Sequence, residues 1–297
     1  MKILAFDIGG TAIKYSICED DKLLNVNEIP TNAMMGARHV MDTLKGLTNT
    51  LSKDTSFDAI GISTAGQVNA ETGSIIYANT NLPGYTGTQI RTELEELFHV
   101  PVAVENDVNA AALGEAIYGA GQGHSDFLCL TYGTGVGGAI IRDREIYHGS
   151  SFSAGEFGAM VTHGTAKILG NDFFDGCYER YASTTALVNA AAAYDPSITS
   201  GKQVFEKLED EQIQGILDCW ITEIVLGLTT LIHIFNPSCI ILGGGIMVQP
   251  CILKKIKEKM PQSIMPSFGH VEIKTAALGN AAGLLGANYL AKQHINR

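Results

Sequence analysis

One pattern occurs twice in this chain, and it limits the fold more than any other feature. Ile3 to Phe6 reads as a strand, Asp7-Ile8-Gly9-Gly10-Thr11 as a turn, Lys14 to Cys18 as a second strand, and Glu19-Asp20-Asp21 as a polar turn into a third strand around Leu23-Leu24. The same order returns in Phe127 to Leu130, Thr131-Tyr132-Gly133-Thr134-Gly135, Val136 to Ile141, Arg142-Asp143-Arg144-Glu145 and Ile146-Tyr147. A structural unit that recurs along a chain is the mark of repeated architecture. Two similar half-domains, facing one another across a cleft, are therefore expected.

The segments between the repeats alternate strand and helix. Val40, Leu44, Leu47 and Leu51 keep helical spacing, as do the apolar positions of Ile90 to Phe98, while Ala59 to Ile62 and Pro101 to Val104 are short apolar runs of strand length. Val108 to Tyr118 reads as a helix rich in small residues. Ile213 to Phe235 contains a long helix. Cys239 to Leu242 and Val271 to Lys274 are strands, and Asn280 to Ala291 is a closing helix. Such alternation gives an α/β fold. Gly119, Gly121 and Gly123 loosen the chain and set the expected boundary: a smaller N-terminal lobe over 1–118, a larger one over 119–279, and a closing segment 280–297 that packs back on the first.

Composition excludes several classes of function. The 297 residues carry a net charge of −11 and one tryptophan. An acidic chain with few aromatic side chains repels a phosphate backbone and offers no platform for stacking bases, so no nucleic-acid partner is expected. The opening apolar run is too short for a secretory signal, and no apolar stretch reads as a membrane span. The six cysteines are scattered with no CxxC pair. They read as reduced, and a cytoplasmic location is expected.

Four groups of residues carry chemistry. Glycines directly after a buried strand let the backbone approach a ligand closely, and successive N–H groups make a nest for phosphate oxygens. Asp7, Gly9, Gly10 and Thr11, with Lys14 nearby, fit such a loop, and so do Thr131, Gly133, Thr134 and Gly135. Neither has the spacing of a P-loop. Each on its own is equally a hairpin turn with glycines. Asp7 suits a Mg²⁺ ion held through water, because Mg²⁺ prefers oxygen ligands and keeps its waters. Glu105-Asn106-Asp107 follows a buried strand and precedes a helix. A carboxylate there suits proton abstraction during phosphoryl transfer, although helix N-capping would also place Asn and Asp there. Glu156 and Glu179 stand beside glycines, where they suit sugar hydroxyls or are simply surface charges. Gly243 and Gly244 close an apolar strand, as a flat adenosine contact or as an ordinary turn.

In combination, DIGGTAIK (7–14), ISTAGQV (62–68), NLPGY (81–85), ENDVNAAALGE (105–115), TYGTGVGGAI (131–140), GEFG (155–158), GCYERYAS (176–183) and ILGGGI (241–246) resemble the ROK family (repressor, open reading frame, kinase) from Met1 to about Leu290. The resemblance implies a two-lobed actin-like (ribonuclease H-like) ATPase fold and an ATP- and Mg²⁺-dependent sugar kinase, expected to form a homodimer. It implies Asp107 as catalytic base, and Gly66, Asn81, Asn106, Asp107, Glu156 and Glu179 around the sugar. Asp7, Gly9, Gly10, Thr11 and Lys14, with Thr131, Gly133, Thr134 and Gly135, would hold the phosphates, and Gly243 and Gly244 the adenosine. The chain departs from the family at Ala159, where most members have a histidine, and Thr162 to Asp175 lacks the cysteines of their structural zinc site. Zinc of that kind needs four ligands, so no zinc is expected. The pattern is similar to the zinc-free branch with β-glucoside kinases, and Ala159 implies room for an aglycone. Glucokinase and N-acetylmannosamine kinase remain alternatives. In a different class stand a non-catalytic sugar sensor, against which Asp107 speaks, and a transcriptional regulator, whose DNA-binding segment has no room before Asp7.

Overall fold

The computed structural model describes residues 1–296; the last residue of the expected closing segment, Arg297, lies outside them. In chain order the elements are β1 (Lys2–Ile8), β2 (Ala12–Glu19), β3 (Lys22–Pro30), α1 (Gly36–Leu51), β4 (Ala59–Thr64), β5 (Gln67–Asn69), β6 (Ser74–Tyr77), α2 (Ile90–Phe98), β7 (Val102–Asn106) and α3 (Asp107–Tyr118). Then come β8 (Phe127–Tyr132), β9 (Val136–Arg142), β10 (Glu145–Ile146), α4 (Glu179–Ala182), α5 (Thr184–Tyr194), α6 (Gly201–Glu206), α7 (Glu211–Phe235), β11 (Cys239–Gly243), α8 (Pro250–Lys259), β12 (Glu272–Thr275) and α9 (Ala282–Ile295).

These elements form two compact units. The first comprises 1–122, 145–154 and 280–297, the second 123–144 and 155–279. They are nearly equal in size, unlike the smaller and larger lobes expected from a break at residue 118. Within the first unit, the buried Glu105 at the end of β7 holds His148 of the segment 145–154, a contact described below.

In the first unit the strand order is β3-β2-β1-β4-β7. β2 runs antiparallel to β1, and β4 and β7 are parallel to it. Side chains on a strand alternate between faces. Leu4, Phe6 and Ile8 of β1 accordingly join one core with Val40 and Leu44 of α1 and Leu94 of α2. Ile3 and Ala5 join another with Leu284, Ala287 and Ala291 of α9. The α9 backbone lies so close that a Cβ on Gly61 would stand 2.1 Å from the Ala287 carbonyl oxygen. Small residues on α9 thus replace bulk with proximity, and they set the helix directly under the ends of β1 and β4.

The second unit repeats this plan. β9 is antiparallel to β8, β11 is parallel to β8, and β12 is parallel to β11. The repeat read from the two glycine turns therefore extends to the whole sheet order. The β5–β6 hairpin, α5 and α8 have no counterpart in the elements expected from the sequence. Among the described residues, α7 is the one helix long and apolar enough to cross a membrane, with half of its most apolar window buried. It is a core helix of its unit: Trp220 donates to the carbonyls of Ala182 and Ser183, and the Ile224 carbonyl accepts from Tyr178.

Candidate functional site

Parallel register brings the ends of three strands into line in the first unit. Asp7 stands opposite Ser63, and Ser63 opposite Glu105; one step on, Ile8, Thr64 and Asn106 align. Ligand sites of open α/β sheets lie at such carboxyl ends. Asp7 Oδ1 accepts a 2.6 Å hydrogen bond from the buried Ser63 hydroxyl. Its carboxylate also covers the start of α9, where a Cβ on Gly283 would meet it at 2.7 Å. Burial raises the Asp7 pKa, while Ser63 and the charge of Lys14, its partner across the β1–β2 pair, pull the other way.

Asn106 and Asp107 form the corner between β7 and α3. Asn106 Oδ1 accepts from the backbone N–H groups of Val108 (2.9 Å) and Asn109 (3.1 Å). Its Nδ2 donates to the Gly66 carbonyl and to Asp107 Oδ1, both at 2.9 Å. An amide side chain has two donors and two acceptor sites, and all four are engaged here. Asn106 is thus the N-cap of α3. Asp107 Oδ1 also accepts from the Val108 N–H at 2.9 Å. Asp107 is half-buried. Burial first, and the nearby charge of Asp7 second, push its carboxyl up to about 6, against the hydrogen bonds that favour the ionised form. Gly66 adopts φ +96° and is drawn into this corner by Asn106. Asn81 lies on an exposed turn four residues before Tyr85, whose hydroxyl is 2.8 Å from that of Thr64.

Sequence reasoning named Glu105 only as part of the tripeptide Glu105-Asn106-Asp107 and missed its partner His148. Glu105 is buried, 1% exposed. Its Oε1 accepts from the Asn106 N–H (2.8 Å) and Asn109 Nδ2 (3.0 Å), and its Oε2 is 2.7 Å from His148 Nε2. Burial opposes a charge on His148, but the hydrogen bond and charge of Glu105, helped by Glu71, leave its pKa raised. The available signal was a carboxylate at the end of the apolar run Val102-Ala103-Val104, since a buried charge requires a partner.

In the second unit, Thr131 is the penultimate residue of β8, and Gly133, Thr134 and Gly135 make the turn. Glu179 Oε2 accepts from the Val136 N–H at 2.9 Å. A Cβ on Gly135 would be 2.1 Å from that same carboxylate oxygen, so Glu179 fits this turn only because residue 135 is glycine. Gly158 of GEFG packs on the Val136 carbonyl, which places Glu156 and Ala159 beside the turn; Glu156 is exposed and Ala159 half-buried. Gly243 adjoins Thr131 across the β8–β11 pair, and Gly244, at φ +104°, leans on the Tyr132 backbone. The segment where relatives would carry zinc ligands is held by other means. Asp172 pairs with Arg180, Lys167 reaches the Phe173 carbonyl, and the His163 ring stacks on Tyr181 at 3.6 Å. Among the described residues, no group of three or more His, Cys, Asp or Glu is arranged to hold a metal.

Comparison with known proteins gives concordant matches. The model of the ROK family matches residues 3–294. A β-glucoside kinase of Listeria monocytogenes is 35% identical over 100% of this chain and 99% of its own. A ROK glucokinase of Streptomyces griseus, solved with glucose and AMPPNP, superposes with a TM-score of 0.84 at 29% identity, covering 99% of this chain and 100% of its own. A Listeria monocytogenes protein described as a candidate N-acetylmannosamine kinase gives a TM-score of 0.88 at 31% identity, covering 100% of both chains.

Proposed function

The chain belongs to the ROK family and is an ATP-dependent sugar kinase, and we propose that it transfers the γ-phosphoryl group of ATP to the 6-hydroxyl of a β-glucoside, with Asp107 as the base. One observation carries the reading: a half-buried carboxylate, pushed up to about 6, stands at the carboxyl end of β7 with one oxygen fixed by two donors. A base with a pKa just below working pH is ionised yet still accepts a proton readily. Asp107 takes the hydroxyl proton as the sugar oxygen bonds to the γ-phosphorus and the bond to the bridging oxygen of ADP breaks. Asn106 orients that carboxylate. The second turn and the first turn, through their backbone N–H groups, hold the phosphates, where charge stabilisation dominates phosphoryl transfer.

The donor chemistry around Asp7 suits Mg²⁺. Burial first and the charge of Asp7 second raise the pKa of Asp107, and an oxygen-seeking dication would relieve the repulsion between the two carboxylates. When bound through water by Asp7, the ion would neutralise phosphate charge. Ala159 in place of a histidine, together with the β-glucoside kinase likeness, supports an acceptor with a substituent on its anomeric carbon. The likeness to the candidate N-acetylmannosamine kinase keeps that sugar as the second reading. A coupled ADP-release assay over cellobiose, gentiobiose, glucose, mannose, fructose and N-acetylmannosamine separates them. Turnover with the disaccharides is expected. Activity on glucose alone overturns the β-glucoside acceptor, and activity on N-acetylmannosamine alone selects the second reading. Zinc near one atom per chain in elemental analysis of the purified protein would overturn the expectation of a zinc-free kinase.

A further inference from the structure

Each glycine turn has a threonine behind it that sequence reasoning did not single out. Thr31, fully buried just past β3, donates its hydroxyl to the Gly9 carbonyl at 2.6 Å and its backbone N–H to the Thr11 carbonyl at 2.9 Å. Thr184, the first residue of α5, donates its N–H to the Gly133 carbonyl at 3.0 Å and its hydroxyl to the Tyr132 carbonyl at 3.2 Å. The two clasps belong to different units and come from different kinds of element, a strand end and a helix start.

Peptide geometry gives the clasp a consequence. In a planar trans peptide the C=O and the following N–H point in opposite directions. With the Gly9 carbonyl drawn inward to Thr31, the Gly10 N–H is turned outward. With the Gly133 carbonyl drawn to Thr184, the Thr134 N–H is turned outward likewise. Gly10 and Thr134 are both exposed, and a Cβ on Gly10 or Gly133 would meet nothing within 4 Å. Each turn therefore presents a fixed donor to open space.

We propose that Thr31 and Thr184 are positioning residues for the phosphoryl donor, holding the Gly10 and Thr134 N–H groups aimed at phosphate oxygens. This rests on the reading of the two turns as phosphate loops. The clasps are unequal. At Thr31 the inward anchor of the Gly9 carbonyl is a side-chain hydroxyl, whereas at Thr184 the matching anchor is a backbone N–H that any residue but proline supplies.

The test is calorimetric binding of MgADP to the full chain, with melting temperatures measured alongside. Thr31→Val should weaken ADP about tenfold, and Thr31→Ser should return it to within about twofold of the parent. Thr184→Val should weaken it only about twofold, because the N–H anchor persists. Sugar KM should not move in any of them. Should Thr31→Val fail to fold, Thr31→Cys, with its weaker thiol donor, should shift ADP binding in the same direction. Equal ADP affinity in the parent and the folded Thr31 variant overturns the clasp while leaving the phosphate loops standing. A Thr31→Ser variant as weak as Thr31→Val overturns it too, since packing and not the hydroxyl would then matter. A parent that binds no ADP overturns the phosphate-loop reading and the clasp with it.

Discussion

The two glycine turns have the same strand–turn–strand plan and opposite surroundings. The first is open: a Cβ on Gly10 meets nothing within 4 Å, and on Gly9 it meets only the Ala12 carbonyl at 3.3 Å. The second is open at Gly133 but packed at Gly135, which lies against Glu179, and the strand that follows is packed at Gly138 against Phe157 and the Gly155 carbonyl. The first turn stands in the unit that carries Asp7 and Asp107, the second in the unit that carries Glu156 and Glu179. The lesson is that the two units keep one backbone plan while the side chains around each turn differ. One copy has Asp7 and Asp107 beside it, and the other sets its turn against the Glu179 carboxylate.

The largest effect separating the copies should come from Asp107→Asn. Loss of a general base costs about 10²- to 10⁴-fold in turnover, with sugar KM little changed; steady-state kinetics check both. The same substitution should stabilise the protein at alkaline pH. A carboxyl whose folded pKa is raised binds a proton more tightly when folded, so its contribution turns unfavourable as pH rises through the interval up to about 6. The variant should melt about 2 °C or more above the parent at pH 8 and show no such gain at pH 4, by scanning calorimetry.

Next in size is the contrast within the turns. Gly135→Ala drives a methyl group into Glu179 and should cost about 1–3 kcal/mol of stability. Gly10→Ala has room and should leave the melting temperature nearly unchanged. Equal losses from the two would break the open-versus-packed distinction. The smallest effect belongs to Glu105 and His148. Because the folded pKa of His148 is raised, its stabilising contribution is complete below the ordinary histidine value and is lost as pH rises through the folded one. His148→Gln should therefore lower the melting temperature more at pH 5.5 than at pH 8.5.

Much of this was legible in the sequence, for identifiable reasons. Buried parallel strands read as apolar runs, so β1, β4, β7, β8 and β11 stood out. Glycine beside threonine marked both turns, and Asp107 was accessible because it sits at a strand-to-helix corner. The α8 helix escaped because it begins at Pro250, and proline at a first helical turn looks like a break. Thr31 and Thr184 escaped because a threonine after a strand or at a helix start has no distinctive local pattern; only long-range pairing, 22 residues apart for Thr31 and Gly9, gives it a role. Asn106 also caps α3 and holds Asp107, a role set by the contacts of its whole amide. Chain order does not show which neighbours an amide meets.

The most direct test of Asp107 as the base of a sugar kinase is the pH profile of kcat/KM for sugar-dependent ADP release between pH 5 and 9. The profile should fall about tenfold per pH unit below a midpoint near 6 and level off above it, with the acidic limb absent from the residual activity of Asp107→Asn. A parent profile that is flat through pH 6, or an Asp107→Asn variant that keeps the parent rate, would contradict the account.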